Sequence, residues 1–250
     1  MGSTSMSPDR GRRYIDVSGI DWDDEAAIDR WAHTAWQQAM TDWGNAVTPA
    51  PTAVLDTTYA EAVAYAAEVH GGQVRKGTSI PYISHLLGVS SLILEAGGDQ
   101  DEAIAGLLHD AVEDAGGLRT LADIRARFGE RVAEIVLLCS DSTDEEWKRR
   151  TPYWSRKRAY LDHLEASDDA RAVLVSIADK VHNARAIVTD LQWHGVRVLT
   201  KFNGTPGETL TYYVECLRIA EDRQLPETLL WSLYTAVAEI DQYIMSQQPA

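Results

Sequence analysis

His85, the adjacent pair His109 and Asp110, and Asp179 bring two imidazoles and two carboxylates from three separate stretches of a 250-residue chain. Such a mixed nitrogen and oxygen set suits a borderline-hard divalent ion such as Mn²⁺, Fe²⁺ or Zn²⁺. Four protein ligands would leave an octahedral ion two positions for a water and a phosphoryl oxygen. An ion so placed acidifies the water and neutralises charge developing on phosphorus. Leu107, Leu108 and Val112 flank the His-Asp pair, which therefore borders an apolar stripe where polar groups need a partner. A bare His-Asp dipeptide is common by chance, so its weight comes from the residues around it.

Glu113 and Asp114 follow Asp110 by three and four positions, which puts them one helical turn away on the same face. From there a carboxylate can orient the attacking water or move its proton; the bland alternative is an acidic helix end. The glycine-punctuated stretch HGGQVRKGTSIPY carries Arg75 and Lys76. Arginine can stack on a base and fork onto phosphate, and lysine adds a mobile charge, although an Arg-Lys pair in isolation is a solvated loop. Lys180 and Arg185 could add positive potential near phosphates or be surface charges, and His182 could line the pocket or pack. His33, His70, His163 and His194 have no acids at ligand spacing and are assigned no role.

These residues must be held by helices. Spacing of 3.6 residues recurs over 57–70, 81–97, 99–115, 119–128, 130–140, 154–166, 168–191, 207–222 and 226–247. No alternating strand pattern competes with it, so the fold class is all-α. Acid-rich capping before apolar residues predicts a further helix over 21–43, in an N-terminal extension of residues 1–50 whose Trp31, Trp36 and Trp43 are read as packing residues. NAVTPAPT, residues 45–52, reads as a linker, and the domain spans 51–250. DEEWKRR, 144–150, reads as a solvated loop, with a lid as the alternative.

The length suits one domain with one site plus the extension. No apolar run approaches the roughly 18 residues that cross a bilayer, and no secretory signal opens the chain, so a cytoplasmic location is expected. Cys139 and Cys216 lie inside apolar helical patterns and read as small core residues. The net charge of −15 excludes broad binding to nucleic acid through counterion release, whereas a small phosphorylated ligand needs only a local basic cluster.

The strings HGGQVRKGTSIPYISH, GLLHDAVED and ADKVHNAR, in that order and with 24 positions from His85 to His109, resemble the hydrolase domain of the Rel/SpoT family. The similarity covers roughly residues 56–222. It implies an all-helical HD-domain bundle that uses Mn²⁺ to remove the 3′-pyrophosphate of the alarmones ppGpp and pppGpp. By position in the motifs, it implies His85, His109, Asp110 and Asp179 as Mn²⁺ ligands and Glu113 with Asp114 as the acidic pair. Arg75 and Lys76 then contact base and phosphate, and Asn183 contacts the ribose. The chain continues only about 70 residues past the last string, so it resembles a stand-alone small alarmone hydrolase of the stringent response. The stretch 141–158 departs from the long enzymes, and FNGTPGETLTYY leaves the part played by Tyr212 or Tyr213 open.

Other substrates for the same site are adenine alarmones such as ppApp, the 2′-phosphate of NADPH, or pyrophosphate carried on tRNA, the last disfavoured by the net acidity. A noncatalytic nucleotide-binding antitoxin or sensor is the reading from another class, opposed by the intact set of ligands and acids. The oligomeric state is not legible.

Overall fold

The computed structural model describes residues 54–140, 150–201 and 204–246. The expected helix over 21–43, the three tryptophans of the extension and most of the 144–150 charge run lie outside them. The account below concerns the described residues of the unit Pro51–Ala250.

Helix α1 (Thr57–Val69) is followed by α2 (Ile83–Glu95), α3 (Gln100–Leu108) and the single turn α4 (Ala111–Asp114). Next come α5 (Leu118–Phe128), α6 (Glu130–Cys139), α7 (Tyr153–Ala166) and the long α8 (Ala170–His194). A 3₁₀ segment (Val196–Lys201), α9 (Pro206–Asp222) and α10 (Glu227–Met245) complete the order. No strand occurs among the described residues, as the all-α expectation requires. A lone antiparallel bridge joins Val74 to Pro81.

The expected helix over 99–115 is in fact two, broken at His109 and Asp110. The Gly106 carbonyl, which an unbroken helix would offer to the Asp110 N–H, accepts instead from His109 Nδ1 at 2.8 Å. Asp110 sits at φ −93°, ψ −7°, a sparsely populated region often used at active sites. The break turns the dyad out of the helical spiral. The 3₁₀ segment, by contrast, has no counterpart in the periodicity.

Helix α8 is the axis of the bundle and packs against α2, α3, α6, α9 and α10. From Ala172 to Asp179 every residue is buried, which is why its sequence is apolar on all sides there rather than along one stripe. Helix α3 starts from a capping box in which Asp99 and Glu102 satisfy each other's backbone N–H. It lies close against α2 because Gly106 carries no side chain: a Cβ there would come within 2.4 Å of Ile93 Cδ1, itself fully buried. This close approach brings the histidines of α2 and α3 together. Replacing Gly106 with Val is expected to destabilise the fold by about 1–3 kcal/mol through overpacking, measured by urea denaturation, with Gly106→Ala costing less.

Candidate metal centre and nucleotide pocket

The four predicted ligands converge from three directions. His85 projects from the first turn of α2, His109 and Asp110 from the break after α3, and Asp179 from the buried middle of α8. Asp179 Oδ1 lies 3.2 Å from His85 Nε2 and 3.6 Å from His109 Nε2. Asp110 Oδ2 lies 3.0 Å from His109 Nε2 and 3.8 Å from His85 Nε2. His85, His109 and Asp179 form a buried, mutually close trio, and the partly exposed Asp110 joins them through both imidazoles.

Both Nε2 atoms are buried, and neither makes a hydrogen bond to any described residue although carboxylate oxygens surround them. Buried nitrogens left in this way are costly, and one divalent cation among these four atoms would satisfy all of them at once. The residues therefore fit a divalent metal. Each is also held from behind, as metal ligands are. His109 Nδ1 donates to the Gly106 carbonyl, which leaves the Nε2 lone pair for an ion. His85 Nδ1 lies 2.9 Å from His182 Nδ1. Tyr82 Oη donates to Asp110 Oδ2 at 2.5 Å. Asp179 Oδ1 accepts from Asn183 Nδ2 and its Oδ2 from Lys180 Nζ, each at 2.5 Å.

Protonation follows from this packing. Burial lowers the pKa of His85 and keeps it neutral. Burial opposes charge on His109 too, but the carboxylates of Asp110 and Asp179 outweigh it and raise its pKa well above the usual imidazole value. Burial likewise opposes charge on Asp179, yet Lys180 and the two histidines hold it well below the usual carboxylate range. His182, desolvated and facing His85, falls to about 4 and is a neutral ring.

Above this floor opens a cavity of about 370 Å³ lined by His109, Asp110, Glu113, Asp179, Lys180 and Asn183. Its rim carries Arg75 and Lys76 on a tight turn closed by Arg75 N–H to Ile80 O at 2.8 Å and Tyr82 N–H to Gln73 O at 2.9 Å. Arg75 Nη2 donates to Asn183 Oδ1 at 2.9 Å, linking the rim through Asn183 to Asp179 at the floor. Tyr212 and Tyr213 also line the cavity, as do Lys157 and Lys201, two cations that carry no motif by which a sequence could single them out. Tyr82 and His182 were legible only as neighbours of stronger residues.

Two expected site residues lie elsewhere. Asp114 is exposed and accepts from Gln73 Nε2 at 2.7 Å, so of the acidic pair it is Glu113 that faces the cavity. Arg185 is exposed on the opposite flank of α8 and donates to Ser232 Oγ at 2.7 Å, away from the cavity. His70, assigned no role, is buried, bonded to Gln73 and stacked on Tyr82 at 5.2 Å. Cys139 and Cys216 are buried free thiols, as expected.

The HD domain family model matches residues 62–200. The guanosine-3′,5′-bis(diphosphate) 3′-pyrophosphohydrolase MESH1 of Xenopus tropicalis is 37% identical over 147 residues, covering 57% of this chain and 77% of the frog protein. The guanosine-3′,5′-bis(diphosphate) 3′-pyrophosphohydrolase of Aquifex aeolicus is 36% identical over 123 residues, 49% of this chain but 17% of that longer protein. Among solved structures, a metazoan orthologue of SpoT that hydrolyses ppGpp matches with a TM-score of 0.58 and 27% identity, over 74% of this chain and 97% of that one. No described helix is long and apolar enough to cross a membrane.

The protonation pattern has a measurable consequence. The raised pKa of His109 means that its proton stabilises the metal-free protein fully below the ordinary imidazole pKa, and that this contribution is lost as pH rises through the folded value. A metal must displace that proton. Mn²⁺ affinity is therefore expected to rise with pH above about 6.5, with proton release seen as a buffer-dependent heat in calorimetry. Binding without proton release near neutral pH would contradict the assignment of His109 as a ligand.

Proposed function

This chain belongs to the HD domain family and within it to the alarmone hydrolase group, and on that premise we propose that it hydrolyses the 3′-pyrophosphate of ppGpp and pppGpp. Water attacks the 3′-linked phosphate, and the products are GDP or GTP and pyrophosphate. The observation that carries this is the pair of buried, unsatisfied imidazole nitrogens facing two carboxylates at the floor of a cation-rimmed cavity. The bond cleaved is taken from the activity named for the frog relative, 77% of whose length the chain covers.

His85, His109, Asp110 and Asp179 hold the ion, which we take to be Mn²⁺. When bound, the ion supplies acidification of the attacking water and charge neutralisation at phosphorus. Glu113, facing the cavity, accepts the water's proton at its carboxylate. Asp114 completes the acidic pair by way of Gln73, which holds the backbone turn from which Glu113 projects. Lys180, neutralised in part by Asp179, keeps a cation at the cavity wall for the phosphates. Arg75 and Lys76 meet base and phosphate, and Asn183 meets the ribose. The substrate is a small nucleotide and the location cytoplasmic, with pyrophosphorylated tRNA the less favoured alternative.

Two observations support this over a noncatalytic sensor. The ligand set is complete, and an acid lies in the cavity beside it. In the test, protein stripped with chelator is given Mn²⁺ and ppGpp, and pyrophosphate is measured, with ppApp and NADPH as competitors. Glu113→Gln is expected to lower kcat by roughly 10²–10⁴ while KM changes little. Full turnover by His109→Ala, or by the chelated protein, would refute the metal-dependent mechanism. Faster turnover of ppApp or NADPH would refute the guanine alarmone as substrate.

A further inference from the structure

We infer that His182 is a positioning residue for the metal centre: its ring accepts the Nδ1 proton of His85, fixing which His85 nitrogen faces the ion, and Gly88 exists to make room for it. The inference rests on the metal-dependent hydrolase proposed above.

Three observations carry it. His85 Nδ1 and His182 Nδ1 are 2.9 Å apart, and their ring centroids 4.7 Å apart with the planes inclined at 62°. Two imidazole nitrogens at that distance need one donor and one acceptor. His85 Nε2 is buried, unbonded and turned toward Asp179 and Asp110. If that atom is to present a lone pair, the His85 proton must reside on Nδ1, so His182 Nδ1 must be the acceptor and its own proton must lie on Nε2.

The third observation is steric. Gly88 stands three residues after His85 on the same face of α2. A Cβ at position 88 would lie 2.3 Å from His182 Nε2 and 2.4 Å from His182 Cδ2. Glycine is the poorest helix-interior residue short of proline, and here its lack of a side chain is used: the imidazole of α8 seats against the bare backbone of α2. A ring that merely filled space would not need its nitrogen aligned on His85. Nor would the reverse arrangement serve, because a proton donated by His182 would push the His85 proton onto the atom that faces the carboxylates.

Ligand-orienting partners of this kind change metal affinity by about 10–100-fold when removed. The test is calorimetric titration of chelator-stripped protein with Mn²⁺ alone, with far-UV circular dichroism as the check on folding. His182→Leu is expected to weaken Mn²⁺ binding by about 10–100-fold. His182→Asn, whose side-chain oxygen can accept in place of Nδ1, should stay within about threefold of the parent. Gly88→Ala, which displaces the ring without altering its chemistry, should weaken binding in the same direction as His182→Leu, and it stands in for that variant if the leucine protein does not fold. His85→Ala is the reference. If it loses Mn²⁺ while His182→Leu and Gly88→Ala bind as the parent does, the positioning role is wrong and the metal centre stands. If His182→Asn is weakened as much as His182→Leu, packing and not the hydrogen bond is responsible, and the inference also fails. If His85→Ala binds Mn²⁺ as tightly as the parent, the metal reading itself is wrong.

Discussion

Two imidazoles, each within 4 Å of two carboxylates in a largely buried place, form an arrangement that a protein core resists. Desolvation penalises each charge, and unbonded nitrogens cost free energy of their own. Here the whole bundle is arranged to hold that concentration together. Helix α8 is buried on every side just where Asp179 emerges. Helix α3 breaks just where His109 and Asp110 emerge, and α2 comes close to α3 through Gly106. The carboxylates of Asp110 and Asp179 favour a proton on His109, and Lys180 pairs with Asp179. That proton and Lys180 both bring positive charge to the carboxylates that face the two imidazoles.

A net charge of −15 coexists with a cavity that gathers basic side chains. Net charge governs the far field, which salt screens within about 10 Å. A cavity is governed by what lines it, and this one gathers Arg75, Lys76, Lys157, Lys180 and Lys201 around its acidic floor. Two of these cations are balanced where they stand, Lys180 by Asp179 at the floor and Lys201 by Asp190 on the wall, while Arg75 donates to the uncharged amide of Asn183.

Much of this was legible in the sequence because the relevant constraints are local. Helical periodicity follows from neighbouring residues, and the expected helices mostly agree with the observed ones to within a few residues. The four candidate ligands could be singled out because chemistry restricts residue type as well as place, and the structure brings them together. What sequence did not convey is set by tertiary contact. Periodicity continued through His109 and Asp110, where a side chain competing for a backbone carbonyl breaks the helix. Glu113 and Asp114 are equivalent by spacing, and only the turn at Gln73 distinguishes them. Arg185 and Lys180 both sit on α8 near Asp179, five residues apart, but the rotation of 100° per residue sends one to Ser232 and the other to the cavity. Lys157 and Lys201 reach the site from elements whose docking no local pattern encodes.

Asn183 shows how the two ends of the site are coupled. Its amide nitrogen donates to Asp179 Oδ1 and its oxygen accepts from Arg75. Donor and acceptor cannot exchange, because a carboxylate accepts only and a guanidinium donates only. The amide is therefore fixed in one orientation by its two partners. Any further donor arriving at that oxygen must share it with Arg75 or displace it. Displacement would free the guanidinium, now 6.0 Å from the Tyr82 ring centroid, to meet a base, while Tyr82 stays bonded to Asp110. The rim turn thus touches both floor carboxylates, Asp179 through Arg75 and Asn183, and Asp110 through Tyr82. Loss of Arg75 would therefore be felt at the metal floor as well as at the nucleotide, through the freed end of an amide that had been held at both sides.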